Sequence, residues 1–267
     1  ELTLEEKITM IHGSEFFKTG AVERLGIPSL VSSDGPAGVR QDFEPDSWTP
    51  INDGGDRVSW LPSNSCLASS WDQNMAYEFG RILGDESRGR GKDVILAPGI
   101  NIKRTPLCGR NFEYMSEDPY LTAAMAVPLI KGIQEYNVAA CVKHFALNNQ
   151  EMERMSVEAI VDERTLREIY LPAFQACIRQ KVDGDDERTT LAAHSLSIMA
   201  SYNKVRGEQA CASKFLLQDV LRDEWGYDGV VISDWGGVHD TKKSALNGMD
   251  IEMSVTSNFD NYYMANP

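Results

Sequence analysis

The hydrophobic pattern predicts an α/β fold built on a parallel sheet, and three observations carry that prediction. Short β-branched runs alternate along the chain with longer amphipathic segments, the order expected when strands and crossover helices wind into a parallel sheet with helices outside. The strand-like runs are almost wholly apolar, as strands buried on both faces are. Several of them end abruptly in charged or aromatic residues. Ile27–Ser33 reads as the first buried strand. Ser70 with Gln73 forms a capping-box pair, and Met75, Phe79, Ile82 and Leu83 follow at helical spacing. Val94–Ala97 is the next strand. Pro119 suits the first turn of a helix carrying Leu121, Met125, Leu129 and Ile133. Val138–Val142 is a strand, and the cleanest helical stripe follows: Leu166, Ile169, Tyr170, Ala173, Phe174, Cys177 and Ile178. After the strand Ile198–Tyr202, Ser213 caps a segment with Leu216, Leu217, Val220 and Leu221 that stops at Gly226. Val230–Ser233 is the last clear strand, with a helix over Val238–Asn247. Two polar stretches, Gln41–Asn64 and Asp183–Thr190, read as long loops.

Composition narrows the function classes. The 267 residues are 42% hydrophobic and 25% charged, the make-up of an ordinary globular protein. No apolar run approaches the roughly 18 residues a membrane helix needs, so no membrane partner is expected. The balance of 26 basic against 40 acidic residues, −14, opposes binding to nucleic acid, because Lys and Arg are scattered. Five cysteines, Cys66, Cys108, Cys141, Cys177 and Cys211, form no CxxC pair. Free, mostly buried thiols are expected rather than a disulfide framework or zinc site. They lean toward a reducing, cytoplasmic compartment. Residue 1 is Glu and no leader pattern follows, so a removed leader and a longer parent chain are both open.

The strand ends are where a parallel α/β barrel gathers its chemistry. Here they read Asp34-Gly35-Pro36, Lys143-His144-Phe145, Tyr202-Asn203 and Asp234-Trp235-Gly236. Each has a plain structural reading alone. Asp34 before Gly-Pro suits a turn, Lys143-His144 a strand end reaching solvent, Met199 a core position and Trp235 interior packing. Arg110 with Glu117, and Arg40 with a nearby carboxylate, fit structural ion pairs. His12, His194 and His239 have no partner pattern. Four strands ending this way together point instead to a site.

The chain resembles glycoside hydrolase family 3, the β-glucosidase group. The resemblance rests on Ser33-Asp34-Gly35-Pro36-Ala37-Gly38-Val39-Arg40, Ala97-Pro98-Gly99-Ile100-Asn101-Ile102, and Gly109-Arg110-Asn111-Phe112-Glu113 leading to Ser116-Glu117-Asp118-Pro119-Tyr120. It continues through Lys143-His144-Phe145, Asn148-Asn149-Gln150-Glu151, Met199 with Ser201-Tyr202-Asn203, and Gly229-Val230-Val231-Ile232-Ser233-Asp234-Trp235. It covers nearly the whole chain in order. It implies a (β/α)8 TIM-like barrel and a retaining, exo-acting hydrolase of β-linked glucosides, without metal or other cofactor. Asp234 takes the place of the nucleophile. Asp34, Arg110, Lys143, His144 and Tyr202 match residues that hold the sugar, and Met199 and Trp235 match apolar walls. The chemistry suits these types: an ionised carboxylate attacks the anomeric carbon, nearby Lys143, His144 and Arg110 favour its charged form, and Asp34 accepts from sugar hydroxyls while Lys143 and His144 donate.

Retention also requires a second carboxyl group, roughly 5–5.5 Å from the first, as acid and then base. In the β-glucosidase branch the resemblance implies a Glu from a following α/β sandwich domain, which this sequence lacks. The Pro-Gly-His-Gly motif of the N-acetylglucosaminidase branch is absent too, since Ala146-Leu147-Asn148-Asn149 stands there. Few residues follow Asp234, so the barrel is expected to lack its last strand and helix. Residues 1–267 are then the barrel domain of a longer enzyme or one chain of a split one, with the acid on a second domain or chain. A silent sugar-binding or scaffold fragment and a β-xylosidase are the alternatives. A phosphate-binding barrel is disfavoured by the lack of a late Gly-rich loop, and metal hydrolysis by the lack of ligand spacing.

Overall fold

The computed structural model describes residues 1–51, 57–180 and 191–253. Five strands, β1 (Ser32–Asp34), β2 (Val94–Leu96), β3 (Ala139–Phe145), β4 (Ser197–Ala200) and β5 (Val230–Ser233), form one sheet in the order β5-β4-β3-β2-β1. Every neighbouring pair is parallel. The alternating α/β order and all five strands expected from the sequence are present, curled as part of a TIM-like barrel. Val94, Leu96, Cys141, Met199 and Ile232 point to the concave side and pack with Ile251 and Met253. Ile95, Val142, Ile198, Ala200 and Val231 point outward into the main core under the helices.

The strand run ends differ from expectation in two places. Ile27 is hydrogen-bonded back to Val22 around Gly26, whose φ of +66° suits glycine, so the first strand begins only at Ser32. Strand β3 continues through Lys143 and His144 to Phe145, so these residues belong to the ladder and not to a solvated strand end. Its pairing is irregular there: Lys143 lies opposite Met199 and Phe145 opposite Ala200, with His144 as the extra residue. Such a bulge resets which side chains face which way.

Beyond β5 the sheet does not stop. Ser233 N–H donates to Ile251 O at 2.9 Å, and Ile251 N–H to Val231 O at 3.0 Å. On its other side, Glu252 N–H donates to Ile11 O and Gly13 N–H to Glu252 O, both at 2.9 Å. The antiparallel hairpin Gly13–Glu15 with Lys18–Thr19 then reaches β1, where Ser32 N–H donates to Phe17 O at 2.7 Å. Main-chain hydrogen bonds thus lead from β5 through Ile251 to the hairpin and β1, while the sheet itself keeps five strands, part of a barrel as expected from the sequence.

The helices follow their caps. Helix α1 (Gln73–Gly89) is capped by Asp72, which accepts from Asn74 N and Met75 N at 2.9 and 3.1 Å. The expected cap, Ser70, instead ends a short helix, Asn64–Ser69, that begins where the stretch read as loop stops. Helix α2 (Pro119–Gln134) carries Pro119 in its first turn and Asp118 as cap, as its sequence predicts. The stripe from Leu166 to Ile178 is helical but not uniform. A wide turn over Leu166–Tyr170 precedes the helix Pro172–Ile178, because Pro172 has no N–H to continue the ladder. Ser213 accepts from Leu216 N at 3.3 Å and Gly226, at φ +66°, ends that helix. The final helix is shorter than expected, Thr241–Leu246, starting after its cap Asp240. The loop Asp183–Thr190 lies outside the described residues. Among the described residues no helix is long and apolar enough to cross a membrane. Cys66 is exposed and the other four cysteines are buried, all free.

Helices α1 and α2 meet backbone to backbone. A Cβ at Gly80 would lie 2.0 Å from Leu129 O, and one at Gly132 would lie 2.3 Å from Tyr77 O. Neither obstacle is a side chain that can rotate away. Gly132→Ala is therefore expected to destabilise the fold by about 1–3 kcal/mol. Urea denaturation should show a lower midpoint at unchanged slope.

Candidate active site

The C-terminal ends of β1, β3, β4 and β5 bring Asp34, Lys143, His144, Tyr202 and Asp234 together. The two β3 residues do this only because of the bulge. In regular alternation Lys143 faces inward, His144 outward and Phe145 inward again. The inserted residue turns Phe145 out, where its ring packs on Phe174 at 5.3 Å and Trp225 at 6.0 Å. Lys143 and His144, at 2% and 1% exposure, both remain inside. Asn101 holds the turned-in segment: His144 N–H donates to Asn101 Oδ1 at 2.8 Å, and Asn101 Nδ2 donates to His144 O at 2.9 Å.

Two carboxylates anchor the site, and their surroundings differ. Asp34 Oδ1 accepts from Lys143 Nζ at 2.8 Å and from Gly35 N at 2.9 Å. Its Oδ2 lies 3.5 Å from Arg40. Burial works against the Asp34 anion, but Lys143 and Arg40 outweigh it and hold the carboxyl below its ordinary value. Asp234 Oδ1 accepts from Tyr202 Oη at 2.7 Å and from Trp235 N at 2.9 Å. Its Oδ2 accepts no hydrogen bond among the described residues, with His144 Nε2 facing it at 3.7 Å. Burial dominates at Asp234 and raises its pKa, with Tyr202, Arg110, Lys143 and the Trp235 amide acting in the opposite direction. The cations near Asp234 therefore soften the cost of its charge without cancelling it.

His144 adds no charge to that set. Arg110 Nη2 lies 2.9 Å from its Nε2, and a guanidinium can only donate. Nε2 must then be the acceptor, and the ring proton sits on Nδ1, 3.3 Å from Tyr114 Oη. Burial, then Arg110, Lys143 and Arg154, push the imidazole pKa well below its usual value. The 3.7 Å approach to Asp234 is a contact of a neutral ring and not an ion pair. In this arrangement Nε2 accepts, which differs from the donor role expected of His144.

Arg110 comes from the loop after β2 and is held by Glu113, which bonds its guanidinium. The partner expected from sequence, Glu117, is displaced because Glu113 lies one turn along the same loop, buried beside the half-buried Arg110. Met199 is buried among the concave-face apolar side chains, without a polar contact. Trp235 is half-buried. Its Nε1 donates to Phe16 O at 3.0 Å, and its ring stands edge-on to Phe17 at 5.1 Å. Tyr114 and Arg154 have no role in the sequence reading, and Asn101 and Glu113 enter it only within the motifs that carry the resemblance. Arg154 sits over the Tyr202 ring, 4.7 Å from its centroid. The three-residue spacings of Arg110 with Glu113 and of Glu151 with Arg154 are the signals that could have found these pairs. Beside Asp34 a cavity of about 380 Å³ opens outward, bordered by Glu113, Phe112 and Trp60. Among the described residues no group of three or more His, Cys, Asp or Glu side chains could hold a metal.

Fold and site define a protein of the β/α-barrel class with its polar centre at the C-terminal strand ends. Within that class the chain belongs to glycosyl hydrolase family 3: the model of the family's N-terminal domain matches residues 14–266. It is 44% identical to β-glucosidase BoGH3A of Bacteroides ovatus over 98% of this chain and 35% of the relative. It is 40% identical to an exo-α-(1→6)-L-arabinopyranosidase of Bifidobacterium longum over 95% of this chain and 32% of the relative. Among solved structures, β-glucosidase 3B of Thermotoga neapolitana in complex with glucose superposes with a TM-score of 0.84 at 40% identity, covering 94% of this chain and 35% of that one. The chain thus spans about a third of the length of the curated relatives it matches.

The Asp34–Lys143 pair makes a stability statement that can be checked. Asp34→Ala leaves the buried Lys143 ammonium without its direct partner, and removing one member of a buried pair costs about 3–5 kcal/mol. The lower end is expected, because Asp234 still offers Lys143 a second anion. A carboxyl held below its ordinary value stabilises the fold above that value, and the benefit fades as pH falls through the lowered one. Urea denaturation should show the gap between wild type and Asp34→Ala in full at neutral pH and closing in strong acid.

Proposed function

We propose that residues 1–267 are the nucleophile-bearing barrel domain of a retaining, exo-acting β-glycoside hydrolase of the β-glucosidase type. The observation that carries this reading is the carboxylate of Asp234: one oxygen is fixed by Tyr202 and the Trp235 amide, and the other is open toward the polar strand ends. Oδ2 attacks the anomeric carbon and forms a glycosyl ester as the leaving oxygen departs. Asp34, Arg110, Lys143 and Tyr202 hold the sugar hydroxyls, with Asp34 accepting and Lys143 donating, and these bonds tighten as positive charge grows on the ring. Trp235 and Met199 bound the sugar's apolar side. Water then cleaves the ester and restores Asp234.

The acid that protonates the leaving oxygen is a Glu on an α/β sandwich domain or a second chain. The chain's span of about a third of its relatives supports that division. Within this chain Glu113 and Glu151 are already committed to Arg110 and Arg154. The relatives named β-glucosidases favour a terminal glucose. The arabinopyranosidase relatives favour a second reading, in which the subsite takes a pentopyranoside; a β-xyloside would be such a sugar.

The purified chain should turn over cellobiose very poorly, because general-acid help worth about a hundredfold to ten-thousandfold is missing. A dinitrophenyl glucoside, whose leaving group needs no proton, should label Asp234 and stall, seen as a mass increase of one sugar. Asp234→Gly should abolish the label. Efficient cellobiose cleavage by the chain alone would place an acid within it.

The labelling rate should also report the carboxylate's ionisation. Burial raises the Asp234 pKa, so the acid limb should lie above the ordinary aspartate range. Tyr202→Phe removes a hydrogen bond that favours the anion and should move the limb further up. A limb unmoved in that variant would deny Tyr202 its part in holding the charge.

A further inference from the structure

All the polar atoms of His144 are engaged: its backbone by Asn101, Nδ1 by Tyr114 and Nε2 by Arg110. The last of these contacts depends on a residue that does not itself touch His144. Glu113, 5% exposed, bonds the Arg110 guanidinium, and its main-chain carbonyl is fixed by Asn64 Nδ2 at 2.7 Å. Arg110 has a second carboxylate within electrostatic reach, that of Asp234. A half-buried guanidinium between two carboxylates binds the one that offers the better geometry, and here that is Glu113.

We propose that Glu113 is a positioning residue for the reaction proposed above: by binding Arg110 it keeps the guanidinium on His144 Nε2 and off the open Oδ2 of Asp234. The inference rests on that functional reading for its kinetic consequence, but not for its structural one. With Glu113 neutralised, the carboxylate that remains within electrostatic reach of Arg110 is Asp234. A guanidinium bonded to Oδ2 would stabilise the carboxylate and at the same time occupy the oxygen that attacks. His144 would lose the donor that fixes its tautomer. Glu113 thus keeps a necessary cation close to the nucleophile without letting it close on it.

The groups that face Asp234 make the pH signature readable. They are Tyr202 just after β4, Lys143 and His144 from β3, Arg110 from the loop after β2, and the buried thiols of Cys141 and Cys211. Only Arg110 is released by a change at Glu113. Glu113→Gln should slow labelling of Asp234 by the dinitrophenyl glucoside about a hundredfold, the scale of a misplaced reacting group. It should also shift the acid limb to lower pH, because the new Arg110 contact favours the anion. Adding Arg110→Met to Glu113→Gln should raise the limb again, whereas a merely loosened, wetter site would leave it low. Glu113→Asp, which keeps the charge, should retain the wild-type limb.

A second measurement needs no activity. The imidazole nitrogen-15 spectrum of wild type should show His144 as the Nδ1–H tautomer, and Glu113→Gln should shift it toward a mixture. An Nε2–H tautomer in wild type, or a Glu113→Gln variant with unchanged labelling rate and acid limb, would overturn the proposal. If wild type is never labelled, the functional reading fails, and the two spectra still decide the role of Glu113. If Glu113→Gln does not fold, the wild-type tautomer and the Glu113→Asp limb carry the test.

Discussion

One extra residue in strand β3 decides the chemistry of this barrel. Between Lys143 and Phe145 the ladder to β4 accommodates His144 without an opposite number. Strand alternation alone allows one of two adjacent residues into the interior, so Lys143 and His144 cannot both face in from a regular strand. The bulge removes that limit. It sends Lys143 toward Asp34 on one side and His144 toward Asp234 on the other, and it returns Phe145 to the outer core, where it is fully buried. The apolar packing of Phe145 on Phe174 and Trp225 and the two hydrogen bonds from Asn101 hold the irregularity from opposite faces.

The electrostatics follow from that placement. Of the two aspartates at the strand ends Asp234 is buried and Asp34 half-buried, and their pKa values move in opposite directions. Asp34 has a direct ion pair with Lys143; Asp234 has hydrogen bonds from neutral groups and cations only at longer range. A direct partner offsets desolvation, whereas a distant one reduces it. The imidazole between Asp234 and Arg110 is neutral for the same reason, since a fourth positive charge beside Lys143, Arg110 and Arg154 would be repelled as well as desolvated. The result separates a carboxylate committed to holding charge from one with an oxygen left over.

The fold was largely legible in the sequence, and the site only in part. The five strands declare themselves because each is a short apolar run ended by polar residues, and α2 because Asp118-Pro119 marks its start. The sheet's continuation through Ile251 and the N-terminal hairpin was not legible. It consists of single hydrogen-bonded pairs, too short to leave a periodic pattern. Ser70 and Asp72 are both good capping residues, and only the geometry chooses Asp72. Asp34, Lys143, His144, Tyr202 and Asp234 could be collected from their places after strands. Asn101, Glu113 and Tyr114 could not be given roles, because they act through a neighbour's atom and not through a strand-end position. The bulge has no signature at all, since Lys143-His144-Phe145 fits a regular strand as well as a broken one.

The hairpin that spans the gap also ties the barrel rim to the site. Phe16 O accepts from Trp235 Nε1, and Phe17 O accepts from Ser32 N at the foot of Asp34's own strand. Adjacent hairpin residues thus grip the strand ends that carry the two aspartates. Phe17, Phe43 and Trp48 surround the hairpin with ring contacts of 5.6 to 6.3 Å, and Arg40 lies over Phe43 and Trp48 while reaching Asp34 Oδ2. A shift of the hairpin would therefore disturb Asp34 through Arg40 and Asp234 through the amide of Trp235. The parallel strands supply the direction of both carboxylates, and an antiparallel turn outside the β/α repeat bonds to both of their strand ends.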